Sequence, residues 1–168
     1  MVGALIVIGP SGNGKSTLAF ALAERLGWEF VEGDLHHPPE NLAKMARGEP
    51  LTDEDRAPFI DSIGRALAQA EHGAVASCSA LRRAYRDRLR TFDRNLVLIC
   101  PQIPREELLQ RMTARPGHFM PPSLLDSQLA TFEPPAEDEA TIALDGCLPV
   151  LEQVELIVGR LSSKTAQF

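Results

Sequence analysis

Five short apolar runs, Ala4–Ile8, Trp28–Val31, Ala74–Cys78, Leu96–Cys100 and Thr141–Leu144, recur along the chain with helical patterning between them. Each is too short for a helix, and most lack the polar alternation of a half-exposed strand. They read as strands buried on both faces. Five such strands separated by helices predict an α/β fold of three layers, a doubly wound parallel five-stranded sheet with helices on either side. The first helix opens after Ile8 in a glycine-rich stretch, carries Leu18, Ala21, Leu22 and Leu26 on one face, and stops at Gly27. Thr52 is the expected N-cap of a helix running to about Ala70, with Asp53, Glu54 and Asp55 in its first turn. Pro104 suits the first turn of a helix bearing Leu108, Leu109 and Met112, and a last helix runs from near Pro149 to near Leu161. Two stretches resist the pattern, 33–50 and 115–139, the second holding Pro116, Pro121, Pro122, Pro134 and Pro135. Both are expected to be irregular, and long irregular insertions in a compact domain usually carry function.

At 168 residues, with no internal repeat or linker, the chain is expected to form a single domain over 1–168. Cys78, Cys100 and Cys147 show no C-x-x-C pairing and read as reduced core thiols. No stretch approaches the ~20 apolar residues of a membrane span, so no membrane partner and a cytoplasmic location are expected. A net charge of −6 argues against a nucleic-acid partner. Positive charge nevertheless crowds at Arg82, Arg83, Arg86, Arg88, Arg90 and Arg94. On charge alone this run is either a solvated helix face or a site for a small anion.

The strongest chemical signal is Gly9-Pro10-Ser11-Gly12-Asn13-Gly14-Lys15-Ser16, followed by Thr17, which fits G-x-x-x-x-G-K-[ST] between a strand and an amphipathic helix. Glycines let the backbone curl with its N–H groups inward around phosphate oxygens, and the following helix adds its positive end. Lys15 would set a point charge on the β- and γ-phosphates, and the Ser16 hydroxyl could reach Mg²⁺. An N-K-x-D guanine-reading motif is missing from the sequence. Phosphoryl transfer to a small molecule is the leading class, although such a loop alone also serves ATP-dependent switches. Asp34, just past the second strand, belongs at the carboxyl edge of the sheet facing this loop. There it could take a proton from an acceptor hydroxyl or help hold Mg²⁺; equally, it could cap a turn. His36 and His37 have no Cys or third His at zinc-ligand spacing.

Gly33-Asp34-Leu35-His36-His37-Pro38, Asn41, Lys44-Met45, Gly48, Pro50-Leu51-Thr52-Asp53 and Asp55-Arg56 together resemble a pattern of the gluconokinase family. Cys78-Ser79-Ala80-Leu81, Tyr85-Arg86-Asp87 and Leu89-Arg90 are similar to a second stretch of it, and Arg111, Arg115, Gly117-His118-Phe119, Leu124-Leu125, Ser127-Gln128 and Glu133-Pro134 to its lid. Phe59 stands where the family commonly has tryptophan. The resemblance implies a P-loop kinase fold of the shikimate and nucleoside-monophosphate kinase type, with a lid at about 115–139 and an acceptor-binding segment at about 33–59. It implies a homodimer using ATP and Mg²⁺ to phosphorylate D-gluconate on its 6-hydroxyl. It makes Lys15 and Asp34 the catalytic pair, with Asp34 also a possible Mg²⁺ ligand beside Ser16. Arg111 and Arg115 become nucleotide contacts. His37, Lys44, Arg56, Arg82, Arg86, His118 and Gln128 join Asp34 as acceptor contacts. A related kinase for shikimate or another hydroxylated anion, or a non-catalytic ATP switch, is the competing reading.

Overall fold

In the computed structural model, which describes residues 3–114 and 122–165, all five strands stand where the apolar runs predict. The order along the chain is β1 (Ala4–Val7), α1 (Lys15–Leu26), β2 (Glu29–Glu32), a 3-10 turn (Gly33–His36), α2 (Pro39–Ala46), α3 (Asp53–Gln69) and β3 (Ala74–Ser77). Then come α4 (Arg83–Arg90), β4 (Val97–Gln102), α5 (Arg105–Ala114), α6 (Pro122–Thr131), β5 (Thr141–Asp145) and α7 (Val150–Thr165). The strands form one parallel sheet in the order β2-β3-β1-β4-β5. β1 is central, with Val7 level with Ser77 on one side and Ile99 on the other, so the chain leaves the middle of the sheet straight into the glycine loop.

Period-two alternation divides the core between two layers. Ala4, Ile6 and Ile8 pack with Phe59, Ile60, Ile63 and Leu67 of α3 and Leu89 of α4. Leu5 and Val7 face the opposite way, onto Leu18 and Leu22 of α1 and Val154 and Ile157 of α7. A smaller cluster of Leu108, Met112 and Leu125 binds α5 to α6.

Three expectations need correction. The stretches 33–50 and 115–139 are not irregular throughout, since they contain α2 and α6. Pro39 and Pro122 each occupy the first position of a helix, where the missing N–H costs nothing and the fixed φ favours the helix, so these prolines start helices instead of breaking them. Cys147 is exposed and so is not a core thiol, unlike Cys78 and Cys100. The N-cap at Thr52 is present as a full capping box, its hydroxyl accepting from the Asp55 amide while the Asp55 carboxylate accepts from the Thr52 amide.

Candidate functional site

The glycine loop is drawn tight by its own residues. Asn13 is buried beneath it, its Nδ2 donating to the Ile8 carbonyl at 2.9 Å and its Oδ1 accepting from the Lys15 amide at 3.1 Å. The Lys15 ammonium lies over the loop, 3.5 Å from the Pro10 carbonyl. The Gly9 amide donates to the Ser79 carbonyl, which fixes the loop against the segment leaving β3.

Beside Ser16 stands a carboxylate that motif reading missed. Glu32, the last residue of β2, accepts from the Ser77 hydroxyl at 2.7 Å and lies 3.1 Å from Ser16 Oγ. The chain turns sharply here because Gly33 passes over the end of β3, so close that a Cβ would overlap the Ser77 carbonyl oxygen. That turn carries Asp34 to the same edge of the sheet. Asp34 is exposed, and both it and Lys15 act electrostatically on the buried Cys78 thiol, which burial first of all pushes up to about 11. Ser16, Glu32 and Ser77 thus meet at one point, with Asp34 two residues beyond Glu32. Ser16 and Glu32 offer two hard oxygen donors at one point, a set that fits Mg²⁺ sharing its remaining positions with phosphate oxygens and water.

The segment after Asp34 is held by polar contacts. His37 stacks on Phe59, ring centroids 3.8 Å apart and planes 5° from parallel. Burial lowers its pKa, with Arg56 adding to the effect and Asp34 opposing it, so the neutral imidazole is favoured. Buried Asn41 ties α2 to α3 through the Asp55 carbonyl at 2.9 Å. Lys44 donates to Asp55 at 2.7 Å, and chiefly for that reason the Asp55 carboxyl is lowered to about 2. The ammonium of Lys44 is therefore engaged within the scaffold. His36 is matched with Ser62, 2.8 Å away.

Arg56 and Arg82 converge. Arg56 donates to the Tyr85 hydroxyl at 3.2 Å, Tyr85 donates to Asp53 at 2.5 Å, and the Arg82 guanidinium lies 3.7 Å from the same Asp53 carboxylate. One exposed carboxylate thus already stands between the two guanidinium groups, a geometry suited to a carboxylate ligand.

Arg86, expected at the acceptor, is placed elsewhere. It is fully buried, its fork gripping Glu139 at 2.9 and 3.0 Å while Nη1 donates to the Ala80 and Leu81 carbonyls at 3.0 and 3.3 Å. Every donor direction it has is turned inward, so it shapes the turn after β3. Elsewhere in the run Arg83 pairs with Asp138 and Arg88 with Asp61 at the surface, and Arg90 with Glu139.

On the opposite side of the loop a cavity of about 550 Å³ is lined by Gly12, Gly14, Thr17, Arg111, Gly146 and Pro149, among others. Arg111 reaches its rim, donating to Glu107 at 3.0 Å and to the Gly146 carbonyl at 3.3 Å. Gln128 does not reach the acceptor edge; it contacts Ser11 of the glycine loop. Arg115 and His118 lie outside the described residues.

A model of the AAA domain family (AAA_33) matches residues 5–135. The gluconokinase of Gluconobacter oxydans is 50% identical over 145 residues, 84% of this chain and 82% of that protein. The thermoresistant gluconokinase of Escherichia coli is 36% identical over 140 residues, covering 82% and 80%. The solved structure of a gluconokinase from Sinorhizobium meliloti superposes with a TM-score of 0.88 at 43% identity, covering 98% of this chain and 96% of that one. A shikimate kinase from Bacteroides thetaiotaomicron shares the fold, with a TM-score of 0.71 at 16% identity over 95% and 98% of the two chains.

Proposed function

The chain belongs to the gluconokinase family, and on that premise we propose that it transfers the γ-phosphoryl group of ATP to the 6-hydroxyl of D-gluconate, yielding 6-phospho-D-gluconate and ADP. The observation that supports this reading is a phosphate loop with the Lys15 ammonium over it, the Ser16 hydroxyl beside the Glu32 carboxylate, and an arginine pair converging on one exposed carboxylate. The cavity beside Arg111 takes the base and ribose of the nucleotide. Loop amides and Lys15 hold the β- and γ-phosphates. Ser16 and Glu32 are the residues to hold Mg²⁺, which when bound neutralises charge on those phosphate oxygens.

Arg56 and Arg82 take the gluconate carboxylate, which displaces Asp53 as their partner. With that end fixed, the 6-hydroxyl is directed at the γ-phosphorus and Asp34 accepts its proton. The new P–O bond forms as the bond to the β–γ bridging oxygen breaks, and the negative charge leaves on ADP while Lys15 stabilises it. A neutral His37, packed on Phe59, shapes the acceptor wall without adding a further positive charge to those of Arg56 and Arg82. The segment 115–139 serves as the lid that excludes water during transfer. The same reading includes a homodimer in the cytoplasm. Phosphorus NMR of the product tests the assignment: a single phosphate monoester on carbon 6 is expected, and free phosphate or an ester at another carbon would contradict it.

A further inference from the structure

Gln128 is the point at which α6 grips the phosphate loop. Its Oε1 accepts from the Ser11 amide at 2.8 Å and its Nε2 donates to the Ser11 hydroxyl at 3.2 Å, a reciprocal pair across a separation of 117 residues. The carboxamide orientation is fixed by its partner, because only oxygen can accept from the amide. Nearby, α6 does not close-pack on the loop: a cavity of about 320 Å³ lies between them, lined by Gly9, Pro10 and Asn13 on one side and Leu129 and Phe132 on the other. The two hydrogen bonds therefore span a gap. The helix end of the strut is firm, since Leu125 is wholly buried against Leu108 and Met112. Those same α5 residues support the next loop residue: a Cβ on Gly12 would come within 3.1 Å of the Leu108 carbonyl oxygen and of Met112 Cγ. Ser11 and Gly12, the outer limb of the phosphate loop, are thus held by the two helices on either side of segment 115–121.

We propose that Gln128 is a positioning residue for the phosphate loop, setting nucleotide affinity by fixing Ser11, and that it is not a ligand of the acceptor. This rests on the proposed phosphoryl transfer from ATP. The effect runs through loop order: without the strut, Ser11 and its neighbours sample other conformations, and binding must first collect them.

The test is Gln128→Leu, which keeps the volume and helix preference and removes both hydrogen bonds. Two neutral hydrogen bonds at their usual net strength correspond to a loss of roughly 5- to 150-fold, so MgATP affinity measured by calorimetry should weaken about 10-fold. At saturating ATP the gluconate KM should stay within about 2-fold, as expected when only one ligand's site is disordered. The Ser11 amide should exchange with solvent about 10-fold faster in the variant without any ligand, while amides in β1 keep their protection. Ser11→Ala, which deletes only the hydroxyl contact, should weaken MgATP binding about 3-fold, and adding it to Gln128→Leu should cost nothing more. It also decides the matter if Gln128→Leu does not fold. Unchanged Ser11 exchange and MgATP affinity, with a raised gluconate KM, would overturn the positioning role and return Gln128 to the acceptor. Failure of the wild-type protein to bind MgATP would overturn the proposed function itself, and with it any effect of Gln128 on nucleotide.

Discussion

Arg86→Met removes a guanidinium that is fully buried. Glu139, 4% exposed, loses its bidentate partner and keeps only Arg90 at 2.9 Å and the Ala136 amide at 2.9 Å, while the Ala80 and Leu81 carbonyls lose their donor. Removing one member of a buried ion pair typically costs 3–5 kcal/mol, and the surviving contacts of Glu139 place this case near ~3 kcal/mol. In a domain of this size that lowers Tm by about 6–12 °C at pH 7, readable by calorimetry. The pH dependence gives an independent check. Glu139 is held at about 2 in the folded chain, first by its hydrogen bonds to Arg86 and against the opposing effect of burial. Its folded value lies below its unfolded one, so the unfolded state binds the proton first and stability falls with acid. The contribution, about 3 kcal/mol, is complete above about pH 4.5 and disappears as pH drops through about 2. Arg86→Met should therefore flatten the stability profile across that window. Arg86→Met combined with Glu139→Leu should be more stable than Arg86→Met alone, because an apolar pair leaves no stranded charge. A Tm loss below about 2 °C with an unaltered acid profile would refute this reasoning.

Lys15→Ala should fold with wild-type Tm and lose detectable kinase activity in an ADP-release assay, because this charge acts on the transferring phosphate. Asp34→Asn should lower turnover by ~10²–10⁴-fold while ATP affinity is retained, the range of a lost general base; turnover within a few-fold of wild type would move that role to another carboxylate. Arg56→Gln should weaken gluconate use by about 10- to 150-fold in kcat/KM and leave the ATP KM nearly unchanged; an equal loss toward ATP would place the carboxylate elsewhere.

What the sequence discloses and what it withholds follow from the range of the interactions concerned. The central strands β1, β3 and β4 are legible because both their faces are buried, so local composition suffices, and the phosphate loop is legible because its chemistry lies within eight neighbouring positions, Gly9 to Ser16. The helices α2 and α6 are obscured because Pro39 and Pro122 carry the same letter whether they start a helix or break one. Arg82 and Arg86 look alike in a run of arginines one helical turn apart. Only Glu139, 53 residues onward, pulls Arg86 into the interior and leaves Arg82 beside Asp53. Glu32 escaped notice for a similar reason, since its meaning comes from Ser16 and Ser77, brought beside it by the parallel register of β2 and β3 and by α1. Gln128 stands in a stretch that resembles the family, yet nothing local says that its partner is Ser11.

Phosphoryl transfer to gluconate makes ADP release depend on the acceptor. With MgATP saturating, release by the wild-type protein should be near zero alone, rise by orders of magnitude with D-gluconate, and remain close to the basal rate with glucose, which lacks the carboxylate for Arg56 and Arg82, or with shikimate. A rate equal with and without gluconate would contradict it and mark the chain as an ATP-dependent switch.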